Sequence, residues 1–226
     1  MNTYRVLNLY ACLGGNRYKW DEVAKAANLK LQVTAVELDP YLAELYQERF
    51  PNDTVIVADA HEYLLDHYKE FDFIWSSPPC PTHSRARFAR KSTTKAVYPD
   101  MKLYQEVIFL DKWFDGKYVV ENVVPYYEPL IPANKRGRHL YWTNFNLPND
   151  LNERKASIME GKDEVSRWCE FHDFNFYLYK GKQRTDKIAR NLVDYEAGKT
   201  IFETALEIKK QNNSEQVSLF ESEGFF

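Results

Sequence analysis

The chain has 226 residues, 44% hydrophobic and 28% charged, enough for one sizeable domain with its own core. Its 30 Lys and Arg stand against 33 Asp and Glu, a net charge of -3, so no overall basicity points to nucleic acid and any such contact must come from a local patch. The N-terminus lacks a signal-type apolar region and no stretch approaches the roughly 20 apolar residues that span a bilayer, so a cytoplasmic protein without a membrane partner is expected.

Arg5–Tyr10 is a short β-prone run, and Ala11-Cys12-Leu13-Gly14-Gly15-Asn16 is the turn after it. Trp20, Val23, Ala24 and Ala27 then recur at helical spacing between Lys19 and Leu29. A second strand, Leu31–Val36, ends in Glu37-Leu38-Asp39, and Pro40 opens a helix through Phe50. A third strand, Thr54–Ala58, ends in Asp59 before a helix from Ala60 to Tyr68. The apolar run Phe71–Trp75 reads as a fourth, buried strand that stops at Pro78-Pro79-Cys80-Pro81, since proline fixes φ and donates nothing to a sheet. Met101–Phe114 is helical in pattern, and Lys117–Val120 is a fifth strand running into Glu121-Asn122-Val123. This alternation predicts βαβ units, a mostly parallel doubly wound sheet covered by helices, with ligands at the strands' C-terminal ends.

Beyond Tyr126 the rhythm weakens. Residues 144–184 show no clear period, Asp194–Lys210 is again helical, and the polar stretch 211–226 reads as a flexible tail. The expected division is a core over 1–143, a short recognition region over 144–185, a segment over 186–210 returning to the core, and the tail.

Three cysteines, at 12, 80 and 169, are odd in number and without CxxC spacing, which argues against disulfides and structural zinc; Cys169 and His172 make half a metal site, so no metal is expected. Cys80 is more than a small buried hydrophobe, because Arg85, Arg87, Arg90, Lys91 and Lys95 follow it without an acid between them. Such charges raise a thiolate fraction or hold phosphates. A cysteine-phosphatase loop would need arginine at position 86, which is alanine. The glycine turn suits close backbone approach to a ligand, and Glu37 and Asp59, at successive strand ends, suit ribose hydroxyls and an adenine amino group; taken singly, each also reads as a strand-end cap. Glu121 stands one strand after Cys80, Asn122 is read as a partner that orients the cysteine loop, and His83 and His139 are read as local hydrogen-bonding residues.

Pro79-Cys80-Pro81-Thr82-His83-Ser84, then Glu121-Asn122-Val123, then Arg136-Gly137-Arg138, resembles the DNA cytosine-5 methyltransferases, in that order. Arg190-Asn191-Leu192-Val193-Asp194 is similar to the family's closing motif. The resemblance implies a Rossmann-like S-adenosylmethionine-dependent methyltransferase fold. It places the cofactor against Tyr10, Ala11, Cys12, Leu13, Gly14 and Gly15, against Glu37 with Leu38 and Asp59 with Ala60, and against Pro79 and Asn191. It makes Cys80 the nucleophile toward cytosine carbon 6, Glu121 the partner of ring N3, and Arg136 and Arg138 the stabilisers of the ring oxygen and the catalytic loop. DNA is the implied partner, held by Ser84, Arg85, Arg87, Arg90 and Lys91.

The chain departs from the pattern in three places. Cys12 stands where the family usually has glycine, Asn134 where it has glutamine, and the stretch between Trp142 and Arg190 is short where it usually carries a long recognition domain. Single-stranded DNA or RNA as substrate, and a non-catalytic nucleic-acid-binding module, are the rival readings; intact Cys80 and Glu121 count against the latter. Gln216-Val217-Ser218-Leu219-Phe220 resembles the pentapeptide by which bacterial proteins dock on the sliding clamp, so a clamp is a further expected partner.

Overall fold

The computed structural model describes residues 1–155 and 163–208. The tail and its clamp-type motif Gln216–Phe220 lie outside the described residues. Seven strands form one sheet: β1 (Asn2–Leu9), β2 (Leu29–Glu37), β3 (Thr54–Val57), β4 (Phe73–Ser76), β5 (Lys117–Val123), β6 (Asn134–Arg136) and β7 (His139–Thr143). Their order is β3-β2-β1-β4-β5-β7-β6, with the first five parallel and β7 antiparallel to both β5 and β6. This is the expected Rossmann-like arrangement. The order reverses between β1 and β4, which opens a crevice at their carboxyl ends.

Period-two alternation sorts the strand residues onto two cores. Leu7, Leu9, Ile74, Tyr118, Val120, Leu140 and Trp142 face one side, against Leu64 of α3 (Ala60–His67) and Leu103, Val107 and Leu110 of α5 (Lys102–Trp113). Val6, Phe73, Trp75, Val119 and Tyr141 face the other, against Trp20 and Val23 of α1 (Trp20–Ala26) and Ala197, Ile201 and Phe202 of α8 (Tyr195–Ala205). Both helix entries into the crevice are capped as their sequence demands. Asp39 accepts from Tyr41 N (3.0 Å) at the start of α2 (Pro40–Arg49), and Asp59 accepts from His61 N (2.8 Å) at the start of α3.

Three expectations need correction. The fifth strand runs on to Val123, because β7 pairs with its second half: Glu121 lies opposite Tyr141 and Asn122 opposite Leu140. Glu121 is thus held inside the sheet rather than in a loop. The basic stretch after Cys80 contains a short helix, α4 (Arg85–Ala89), with Ser84 as its cap. The stretch 144–185 also holds regular structure, α6 (Glu164–His172), and shares a core with the main body. Trp168, Phe176 and Tyr179 pack with Leu13, Leu42 and Leu45 and with Ile188 and Leu192, at or just beyond α7 (Thr185–Asn191). Among the described residues no helix is long and apolar enough to cross a membrane.

Candidate functional site

A cleft of about 1000 Å³ occupies the crevice. Cys80, Glu121, Asn122 and Arg138 line one end, and Tyr10, Glu37, Leu38, Asp59 and Ala60 the other. Pro79 and Asn191 also line it, with Cys12 between the ends of β1 and β2.

The loop bearing Cys80 is stiffened from both sides. Asn122 Nδ2 donates to the Pro78 carbonyl (2.9 Å) while its Oδ1 accepts from Val123 N (2.9 Å), the orienting role expected of it. The Cys80 carbonyl accepts from His83 N (3.0 Å) and Ser84 N (3.1 Å), turning the chain directly into α4. Burial, then the Glu121 carboxyl, push the Cys80 thiol up, against the pull of Lys187 and Arg138. This corrects the expectation that the Arg85–Lys95 charges favour the thiolate: the thiol is pushed up, and the cations that oppose the rise are Lys187 and Arg138.

Glu121 is buried, and that burial raises its pKa to about 7, with Glu153 adding to the rise and a hydrogen bond from Ser77 and the charge of Arg138 opposing it. Beside it, 3.7 Å away, sits His139 Nε2. Burial, then Arg138, lower the His139 pKa to about 4, so at neutral pH this contact is not an ion pair. His139 therefore belongs to the cleft, beyond the local role assigned to it from sequence.

The two arginines of Arg136-Gly137-Arg138 part company. Gly137, at φ +54°, makes the tight turn between β6 and β7 and leaves the arginines facing different ways. Arg138 lines the cleft and donates to the Arg190 carbonyl (3.3 Å). Arg136 does not line it: its Nε donates to the Pro148 carbonyl (2.6 Å) and its Nη2 to the Leu147 carbonyl (3.1 Å). It clamps the chain after β7 rather than facing a ring oxygen.

The glycine turn also serves differently from expectation. Of Tyr10–Gly15, the residues expected against the cofactor, only Tyr10 and Cys12 line the cleft. Ala11 and Leu13 are buried. Gly14, at φ +66°, lies where a Cβ would meet Phe50, and a Cβ on Gly15 would come within 2.4 Å of the Val193 carbonyl. Gly14 thus lets the end of α2 close on the first turn, and Gly15 lets the C-terminal segment do so. The N–H groups of Ala11 and Cys12 are taken by the Val36 carbonyl (3.0 Å) and Glu37 Oε2 (2.8 Å). Cys12 adopts φ +48°, a left-handed conformation that explains why glycine suits the position.

At this end of the cleft both readings of the acids hold together. Glu37 accepts from Cys12 N and Asp39 N, and Asp59 caps α3, while both face the cleft. Burial pushes Asp59 up, but the N–H groups of His61 and Glu62 and the Lys102 ammonium outweigh it and hold the carboxyl below its ordinary range. Tyr10 is fixed by its hydroxyl, which donates to the buried Glu106 (2.5 Å), a residue that also meets His61 Nδ1 (2.9 Å) and Ser76 Oγ (2.5 Å).

Of the basic patch, Ser84 alone reaches the cleft. Arg85 donates to the Pro125 carbonyl (3.0 Å) and Arg87 to the Lys95 carbonyl (2.5 Å), while Arg90 and Lys91 are exposed. The cleft takes its far-wall charge from Lys182, Lys187 and Arg190 on and before α7, which sequence reasoning missed. Four cations fall within nine residues there, but one of them, Arg184, pairs with Asp186 (2.8 Å), which disguises the run. Cys169 of the half metal site instead accepts from Phe176 N (3.4 Å).

No curated protein matches the chain. Among solved structures, a DNMT2 mutant of Spodoptera frugiperda aligns at 21% identity and TM-score 0.37, over 53% of this chain and 35% of that one. The methyltransferase EhMeth of Entamoeba histolytica aligns at 11% and TM-score 0.37, over 54% and 39%. The chain thus spans little more than a third of the length of these structures. The family model for C-5 cytosine-specific DNA methylases matches residues 4–124, from β1 through β5, and so includes Cys80, Glu121, Glu37 and Asp59. Because that match takes in more than half of the chain, the protein belongs to the C-5 cytosine-specific DNA methylase family.

Proposed function

We propose that this protein transfers a methyl group from S-adenosylmethionine to carbon 5 of cytosine in DNA, with Cys80 as the nucleophile. The observation that carries this reading is a thiol and a carboxyl of pKa about 7 lining one cleft with a separate acidic end. The donor set there fits the cofactor. Carboxylates of Glu37, Asp39 and Asp59 suit hydroxyls, an amino group and a cationic sulfonium, and Leu38, 67% exposed, offers an uncovered apolar face to an adenine ring. When bound, S-adenosylmethionine supplies the electrophilic methyl group. Tyr10, Pro79 and Asn191 line the same space.

Carbon 5 of cytosine is a weak nucleophile. Cys80 Sγ loses its proton to solvent and adds to carbon 6, and the electron pair of the 5,6 double bond is drawn toward ring N3. Glu121, whose raised pKa of about 7 keeps a protonated fraction at neutrality, gives its proton to N3, so no full negative charge forms on the ring. Arg138 offers its guanidinium to the ring oxygen. Carbon 5, now part of an enamine, takes the methyl group. Loss of the carbon 5 proton to solvent then restores the double bond and expels Cys80 as thiolate, while Glu121 recovers the N3 proton. The target base must first leave its stack, at a cost of a few kcal/mol.

Trapping on DNA containing 5-fluorocytosine tests this reading, because fluorine does not leave as the proton does. In the presence of S-adenosylmethionine the protein is expected to remain covalently attached through Cys80. No adduct, or an equal adduct from Cys80→Ala, overturns it.

A further inference from the structure

Two segments that line the cleft carry, just beyond it, a pair of rings that the chemistry above leaves unused. Phe88 on α4 lies flat against Tyr126, with centroids 4.9 Å apart and planes 4° from parallel. Each belongs to a segment that lines the cleft: Phe88 follows Ser84 by one helical turn, and Tyr126 follows Val123. The two segments are stitched together where they leave it. Ser84 bridges to Pro125, Tyr126 N donates to the His83 carbonyl (3.1 Å), and Arg85 Nε donates to the Pro125 carbonyl (3.0 Å). Tyr126 is further braced edge-on by Tyr127, whose hydroxyl meets His83 Nδ1 (2.6 Å). The stack is therefore held in place by backbone contacts on both sides.

A single exposed phenylalanine is ordinary. Phe88 differs because one face is already covered by a parallel ring and yet 48% of the residue stays open to solvent, with the Lys91 ammonium 5.2 Å from its ring. Residues 81–99 carry five cations and no acid in a chain whose net charge is negative. Arg90 and Lys91, beside the open ring, are both exposed. A flat aromatic face rimmed by unneutralised cations has the chemistry of a base-stacking site with phosphate contacts.

We propose that Phe88 and Tyr126 form a stacking platform for an unpaired base adjoining the target cytosine, with Arg90 and Lys91 on the flanking phosphates, so that the preferred substrate is single-stranded DNA. The inference rests on the reading of the cleft as a cytosine site. In a duplex the base beside the target stays paired and keeps at least one stacked neighbour even after the target has left its stack, so it is held away from Phe88. In a single strand the same face is free, and stacking on an aromatic side chain contributes about 1–3 kcal/mol per base.

The test measures binding without turnover, by anisotropy, for the full chain carrying Cys80→Ala. The ligands are a labelled, cytosine-containing single strand of about 12 nucleotides and the same strand annealed to its complement. Tighter binding of the single strand is expected. Adding Phe88→Ala is expected to weaken single-strand binding by about 5- to 150-fold, the stacking contribution expressed as affinity, with duplex binding and the melting temperature unchanged. Phe88→Trp is expected to restore single-strand affinity and to show its indole fluorescence quenched on binding. Equal affinity for both ligands, or a single-strand affinity indifferent to Phe88→Ala, overturns the proposal. Stacking that depends on Phe88 in a protein that transfers no methyl group to cytosine overturns the reading of the cleft and upholds the platform. Methyl transfer with no dependence of binding on Phe88 does the reverse.

Discussion

Glu121 is held in an arrangement that costs the fold stability. Buried between β4 and β7, it holds its proton to about pH 7, where an unfolded chain would release it near 4.5. The folded state therefore binds more protons than the unfolded one between those two values. Stability is highest below pH 4.5 as far as this group is concerned, falls as pH rises to 7, and stays lowered above. Glu121→Gln removes that penalty, so at pH 8, against pH 4, the variant should gain on the order of 3 kcal/mol over the parent in denaturant unfolding. The same variant should lose about 10²- to 10⁴-fold in methyl transfer, because glutamine cannot give a proton to N3. The two arginines should separate as cleanly. Arg138→Ala should leave the melting temperature nearly unchanged and lower kcat/KM. Arg136→Ala abandons two backbone carbonyls and should cost about 1–3 kcal/mol of stability while the protein that remains folded keeps its turnover. Sequence placed both arginines in one motif. It could not show that the turn at Gly137 sends them to opposite duties, since that depends on β7 pairing with β5.

At the scale of elements, α8 closes the molecule. Phe202 is fully buried and meets Trp20 at 5.0 Å and Phe73 at 5.2 Å between ring centroids. Phe202→Ala should cost about 3–5 kcal/mol and lower the melting temperature by roughly 10 °C or more. Because α8 lies against the turn at Asn16, and Gly15 against Val193, the loss should also loosen the cofactor end of the cleft. The parallel strands and their helices were legible in the sequence because each carries its own period and stop: Pro40 opens α2, and Pro78 ends the run that holds β4. The β6–β7 hairpin was not, since β6 has only three residues and its sequence, Asn134-Lys135-Arg136, has no apolar alternation. The helix α6 was hidden for another reason. Its amphipathic face answers Leu13, Leu42 and Leu45, far away in sequence, and the aromatic residues that follow it blur the period.

For the whole molecule, the cleft joins residues from four separated parts of the chain: the first turn, the strand ends from Glu37 to Asn122, the β6–β7 turn, and the segment from Lys182 to Asn191. That Cys80 and Glu121 share the cleft could be read from the sequence because each sits where a strand meets a loop or a partner strand beside telling neighbours. The cationic far wall could not, since nothing local distinguishes Lys187, which faces the cleft, from Arg184, which pairs with Asp186. DNA methylated by this protein with isotopically labelled S-adenosylmethionine can be digested to nucleosides and separated by chromatography with mass detection. The label is expected in 5-methylcytosine and absent when Cys80→Ala replaces the parent. Label on the exocyclic nitrogen of cytosine, or undiminished 5-methylcytosine from Cys80→Ala, would contradict transfer to carbon 5 through Cys80.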